Sequence, residues 1–163
     1  MKQHGVWYID ERAEQLAIVY LTRRDDLAVI HPPGDATGLD YLVQIQADGR
    51  RTTRQFGVTV DGVLTHTLSE SRPNDSISNF NSVATGDILP DIPVCALLFV
   101  MKSDTGYYRW IREPVVTDSG AVALIPRPDS HFSRLDTAAL DRIVAQVNAW
   151  YAARAAQIDE KIG

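Results

Sequence analysis

Apolar and polar positions alternate along this chain with two periods, and the switches between them mark its elements. Near the N-terminus Ala13, Leu16, Ala17, Tyr20 and Leu21 recur at i, i+3, i+4, i+7 and i+8. That is the single stripe of an amphipathic helix. Asp10 is placed to cap it and Glu11 suits its first turn. Glu14 lies beside the stripe, where it points along the edge of a core. Leu27-Ala28-Val29-Ile30 then reads as a short strand stopped by Pro32-Pro33-Gly34.

The period next falls to two. Tyr41, Val43 and Ile45 alternate with Leu42, Gln44 and Gln46, and Phe56, Val58 and Val60 alternate with Gly57, Thr59 and Asp61. Both runs are strands with one apolar face, and Asp48-Gly49 between them is a turn signal. Thr59 and Asp61 share a face because side chains two apart in a strand point the same way. Residues 64 to 92 are polar and read as a loop with one short helix near Ile77 to Val83. Val94 to Met101 is a continuous apolar run, the pattern of a strand buried on both sides. Asp104-Thr105-Gly106 turns the chain into Tyr107 to Ile111, a hairpin partner, and Ala121 to Ile125 is a further strand. A last helix is expected from about Asp136 to Ile158, burying Leu140, Ile143, Val144, Val147 and Tyr151 while Trp150 falls off the stripe. The order suggests one domain over residues 1–163, a central sheet with helices packed on it.

Composition narrows the functional classes. The net charge is −5 and the pI about 5.3, without the basic surplus that usually marks a DNA-binding domain. Local basic clusters remain at Arg23-Arg24, at Arg50-Arg51 with Arg54, and at Arg109 with Arg112, each read as solvated surface charge. The single Cys95 cannot form an internal disulfide. No signal-peptide pattern opens the chain and no apolar run approaches the roughly 18 residues of a membrane span. A cytoplasmic location without membrane contact is therefore expected. His4, His31, His66 and His131 have no metal-ligand spacing, and no nucleophile elbow, P-loop or dinucleotide fingerprint is present. Tyr107, Tyr108 and Trp110 with Arg109 have the chemistry to stack bases or a partner, against the plainer reading of strand packing.

Four segments stand out in order: Arg12 to Ala17 with Tyr20-Leu21-Thr22, Gly38-Leu39-Asp40-Tyr41, Phe56-Gly57-Val58-Thr59-Val60-Asp61-Gly62, and Ile92-Pro93-Val94 with Leu97 to Val100 and Tyr108 to Ile111. Together they resemble a bacterial family of unknown function in the PD-(D/E)xK restriction-endonuclease-like group. The resemblance covers nearly the whole chain and implies a restriction-endonuclease-like α/β core with a mixed sheet. It also implies a site: Glu14 as helix carboxylate, Asp40 as principal metal ligand, Thr59 at the second ligand position and Asp61 at the lysine position. Thr59 departs from the family's Glu or Gln. Asp61 departs further, because it replaces the cation that would offset charge developing on a phosphate. Two like charges about 4 Å apart repel by roughly 4 kcal/mol at an effective dielectric of about 20.

The leading expectation is therefore a degenerate, non-catalytic member that needs no cofactor. It would act as a binding or regulatory component in bacterial DNA processing or mobile-element defence. One alternative is a Mg²⁺-dependent endonuclease whose rearranged site uses Asp40, Asp61 and Glu14 as metal ligands, with help from Lys102, Gln44 or Gln46. The other is a protein-interaction module, with homodimerisation open. DNA and a protein thus both stand as partners.

Overall fold

The computed structural model describes residues 7–32, 38–64, 91–128 and 130–162. The short helix expected near Ile77 to Val83 lies outside them. Helix α1 spans Trp7–Leu21. It begins before Asp10, which therefore sits in its first turn instead of capping it. The strands are β1 (Leu27–Ile30), β2 (Tyr41–Ala47), β3 (Arg50–Val63), β4 (Val94–Val100), β5 (Thr105–Val116), β6 (Val122–Pro126) and β7 (Ser133–Arg134). Helix α2 (Thr137–Ile162) closes the described chain.

The strands form one mixed sheet in the order β1-β2-β3-β4-β5-β6, with β7 also paired to β5. Neighbouring strands are antiparallel from β1 through β2 to β3, and again from β4 through β5 to β6. Among the described residues the single parallel junction is β3 with β4, in the register Thr59↔Ala96 and Asp61↔Leu98. Every residue of β4 is buried, as its unbroken apolar run required for a strand covered on both faces. The β2–β3 turn has φ of 51° at Asp48 and 71° at Gly49. Positive φ at both central residues is the tight hairpin turn that Asp-Gly favours. Beyond a register shift the ladder resumes at Arg51 and Arg50, opposite Gln46 and Ala47, so β3 is longer than its apolar alternation indicates.

Both helices lie on one face. Ile9, Ala13, Ala17 and Leu21 of α1 and Leu140, Ile143, Val144 and Val147 of α2 share a core with Tyr41, Val43, Phe56, Val58, Val60, Leu97 and Phe99. The approach of α1 requires Gly62, where an added Cβ would stand 2.8 Å from the Ile9 side chain and 3.0 Å from its carbonyl. On the second face a smaller cluster joins Leu39, Val94, Ala96 and Ile111 with Leu42 and Phe132.

Helix α2 is capped by Asp136, whose carboxylate accepts the Ala139 N–H at 2.8 Å. Its buried set corrects the helical-stripe expectation. Trp150 is only 3% exposed, and its indole N–H donates to the Ala123 carbonyl of β6 at 3.0 Å. Tyr151 is half-buried, its hydroxyl donating to the Gln55 carbonyl at 2.7 Å. A 26-residue helix crossing a twisted sheet meets different strands along its length, so its buried stripe widens beyond one periodic line.

Candidate functional site

The β2–β3 pair brings Asp40 and Thr59 together. Asp40 lies just before β2, one step beyond the Tyr41↔Val58 pair. Its N–H donates to the Val58 carbonyl at 2.9 Å, and its Oδ2 accepts the Val60 N–H at 2.7 Å. The carboxylate thus takes the place of a backbone carbonyl and extends the β2–β3 ladder by one rung. An ionised acceptor makes such a bond shorter and stronger than a neutral one.

Thr59 is 4% exposed, and its Oγ1 has no hydrogen-bond partner among the described residues. Its surroundings explain this. Ala96 faces it across the parallel junction, and Ala96 belongs with Leu39 and Ile111 to the second-face cluster. Leu39 covers this part of β3 closely, since a Cβ at Gly57 would meet its methyls at 2.8 and 3.0 Å. Asp61 is half-buried, and one of its oxygens accepts the N–H of Gly62 at 2.9 Å.

Glu14 is placed differently. Gly62 packs against α1, so its strand neighbour Asp61 projects to the opposite face. The sheet therefore lies between the helix that carries Glu14 and the side chain of Asp61. Glu14 meets the site's rim through its backbone, its carbonyl accepting the Tyr41 hydroxyl at 3.5 Å. Among the described residues no three His, Cys, Asp or Glu side chains group to hold a metal ion. Mg²⁺ takes one or two carboxylates in near-octahedral oxygen coordination. Here one oxygen of Asp40 is engaged by backbone, and the neighbouring Thr59 offers only a neutral, buried hydroxyl. This donor set does not match the arrangement that the resemblance implies.

The supporting candidates also separate. Lys102 is exposed in the turn after β4, its N–H bonded to the Leu64 carbonyl. Gln44 points its Nε2 at the Thr52 carbonyl at 3.1 Å, while its Oε1 is buried without a partner among the described residues. Gln46 pairs with Arg51 near the hairpin tip.

Arg109 corrects the reading of its cluster as solvated charge. It is 3% exposed, and its Nη1 donates to the carbonyls of Arg127 and Pro128 at 3.1 and 3.2 Å. Its guanidinium also lies 5.4 Å from the Phe132 ring centroid, within cation–π range. It shares a row with Thr59 and Ala96, a placement that only strand register reveals. Trp110 is buried in the first core with Tyr108 packed against it, which favours strand packing over base stacking there. Cys95 is fully buried, and burial pushes its thiol pKa up against the opposing charge of Arg109. A thiol so shifted stays protonated and unreactive.

Comparison with family models, with curated proteins and with solved structures gives no match. The class that fold and site define is thus an α/β domain with an open mixed sheet, and its function is argued from the chain's own residues.

Proposed function

We propose that this chain is a non-catalytic binding or regulatory protein on a nuclease-like scaffold, acting on DNA in bacterial DNA processing or mobile-element defence. The observation that carries the reading is the bond from the Val60 N–H to Asp40 Oδ2. It gives the best-matched residue of the implied site a structural task. The neighbouring changes point the same way. Thr59 supplies a neutral, buried hydroxyl without a hydrogen-bond partner among the described residues, and Asp61 supplies negative charge where phosphate chemistry calls for a cation. The scaffold keeps its strand pairing after the chemistry has gone.

The test is incubation of the purified protein with plasmid and with single-stranded DNA in Mg²⁺ or Mn²⁺. No cleavage is expected. Metal-dependent cleavage that disappears in Asp40→Ala overturns the reading in favour of a nuclease with a rearranged site.

A further inference from the structure

Several arginines among the described residues are used by the fold. Arg12 pairs with Asp104, Arg24 with Asp26 and Asp141, Arg127 with Glu113 and Arg154 with Asp91, while Arg109 is buried. Arg50 and Arg51 differ. Both are exposed without an ion-pair partner among the described residues, as Arg134 and Arg142 also are, but Arg50 and Arg51 stand next to each other on one strand. Arg54 stands nearby, its Nη1 donating to the side-chain Oδ1 of Asn148 at 2.9 Å.

Their position is as informative as their charge. The β1 strand accompanies β2 only as far as Leu27↔Ile45, and β4 joins β3 only from Gly57. The start of β3 therefore forms, with the end of β2, a two-stranded ribbon that reaches past its sheet neighbours. The ribbon carries Arg50, Arg51 and Arg54 against the single acid Asp48, in a chain whose net charge is −5. Its tip is the narrow Asp48-Gly49 turn. Successive strand residues point to opposite sides, so Arg50 and Arg51 flank the ribbon instead of converging on one anion. Gln46 lies beside Arg51, and Thr53 is exposed two residues on.

We propose that this ribbon is a duplex-DNA contact arm, with Arg50 and Arg51 reaching phosphates on either wall of the major groove. That groove is about 12 Å wide and admits a two-stranded ribbon. Charges on both sides of a thin element suit a groove with two anionic walls, whereas a small anion needs convergent donors. Gln46 and Thr53 supply side chains of the kinds that bond base edges. The inference rests on the DNA-binding reading above and assigns its contact surface to the hairpin, away from Asp40 and Asp61.

The test is fluorescence anisotropy with a labelled short duplex and the matching single strand, over about 50 to 200 mM salt. Wild type is compared with Arg50→Ala/Arg51→Ala. The control is Lys102→Ala/Arg134→Ala, which removes the same charge at exposed positions away from the ribbon. Thermal melts check that each variant is folded. The ribbon variant should bind the duplex about tenfold more weakly, and its log K against log salt slope should fall by about 1–2. The control should resemble wild type. Duplex binding by wild type that the ribbon variant matches, or that the control loses equally, overturns the arm and leaves the DNA-binding reading intact. Tighter binding to the single strand overturns the duplex assignment. No binding by wild type at the lowest salt overturns the DNA-binding reading and the arm with it.

Discussion

Truncating Asp40 to alanine separates a structural carboxylate from a metal-binding one by the sign of the stability change. In the structure its Oδ2 accepts the Val60 N–H at 2.7 Å, and Val60 is 4% exposed. A hydrogen bond to a charged group contributes about 1.5–3 kcal/mol, and a buried donor left without an acceptor adds its own desolvation cost. Asp40 is itself half-buried, which tempers the charge contribution. The expected loss is about 2 kcal/mol, or about 4–8 °C in Tm for a chain of this size. Asp40→Asn keeps an acceptor oxygen and should lose about half as much. The assay is urea unfolding followed by tryptophan fluorescence in EDTA, so that no metal contributes. If Asp40 served mainly to hold a cation beside Asp61, its removal without metal would relieve repulsion, and the variant would equal or exceed wild type. Stability of Asp40→Ala within about 0.5 kcal/mol of wild type, or above it, would refute the ladder-rung account.

Two further outcomes test the surroundings. Thr59→Val exchanges a buried hydroxyl without a partner among the described residues for a methyl of similar shape, and should leave stability unchanged or raise it by up to about 1 kcal/mol; a loss of that size in denaturant titrations would mean that the hydroxyl has a native partner. Arg24 makes two hydrogen bonds to the Asp26 carboxylate, at 2.8 and 2.7 Å, and also reaches Asp141. The Arg24 bond holds the Asp26 pKa below its ordinary 3.8, against the opposing effect of burial. A depressed carboxylate pKa means stability that is present above the unfolded value and lost as pH falls through the folded one. Arg24→Gln should therefore be less stable than wild type at pH 7, by about 1 kcal/mol at this partly exposed pair, and the gap in Tm should close as pH drops below about 4. A gap that stays constant to low pH would remove this pair as its cause.

Much of the fold was legible because it rests on local rules. The helix stripe through Ala13, Ala17 and Leu21, the alternation from Tyr41 to Ile45, the Asp48-Gly49 turn and the unbroken apolar run of β4 each fix an element from a few neighbouring residues. The early part of β3 was not legible, since Arg50 and Arg51 join the ladder opposite Ala47 and Gln46 and the stretch to Arg54 carries no apolar period. Nor was β7, whose two residues Ser133 and Arg134 have no pattern to offer. Trp150 and Arg109 were misplaced for a related reason. Their burial depends on β6 and on the carbonyls after it, which lie far from any periodicity in their own segments.

The candidate site divides along the same line. Sequence by itself determined which chemical groups stand at the start of β2 and along β3: a carboxylate at Asp40, a hydroxyl at Thr59 and a second carboxylate at Asp61 in place of a cation. Only the tertiary structure decided what those groups do. It set the Asp40 carboxylate onto the Val60 N–H, buried the Thr59 hydroxyl across from Ala96, and put the sheet between α1 and the side chain of Asp61. Residue type fixes charge and donor capacity, but a partner is chosen by distance and direction. Those follow from strand register and from the face on which a helix packs.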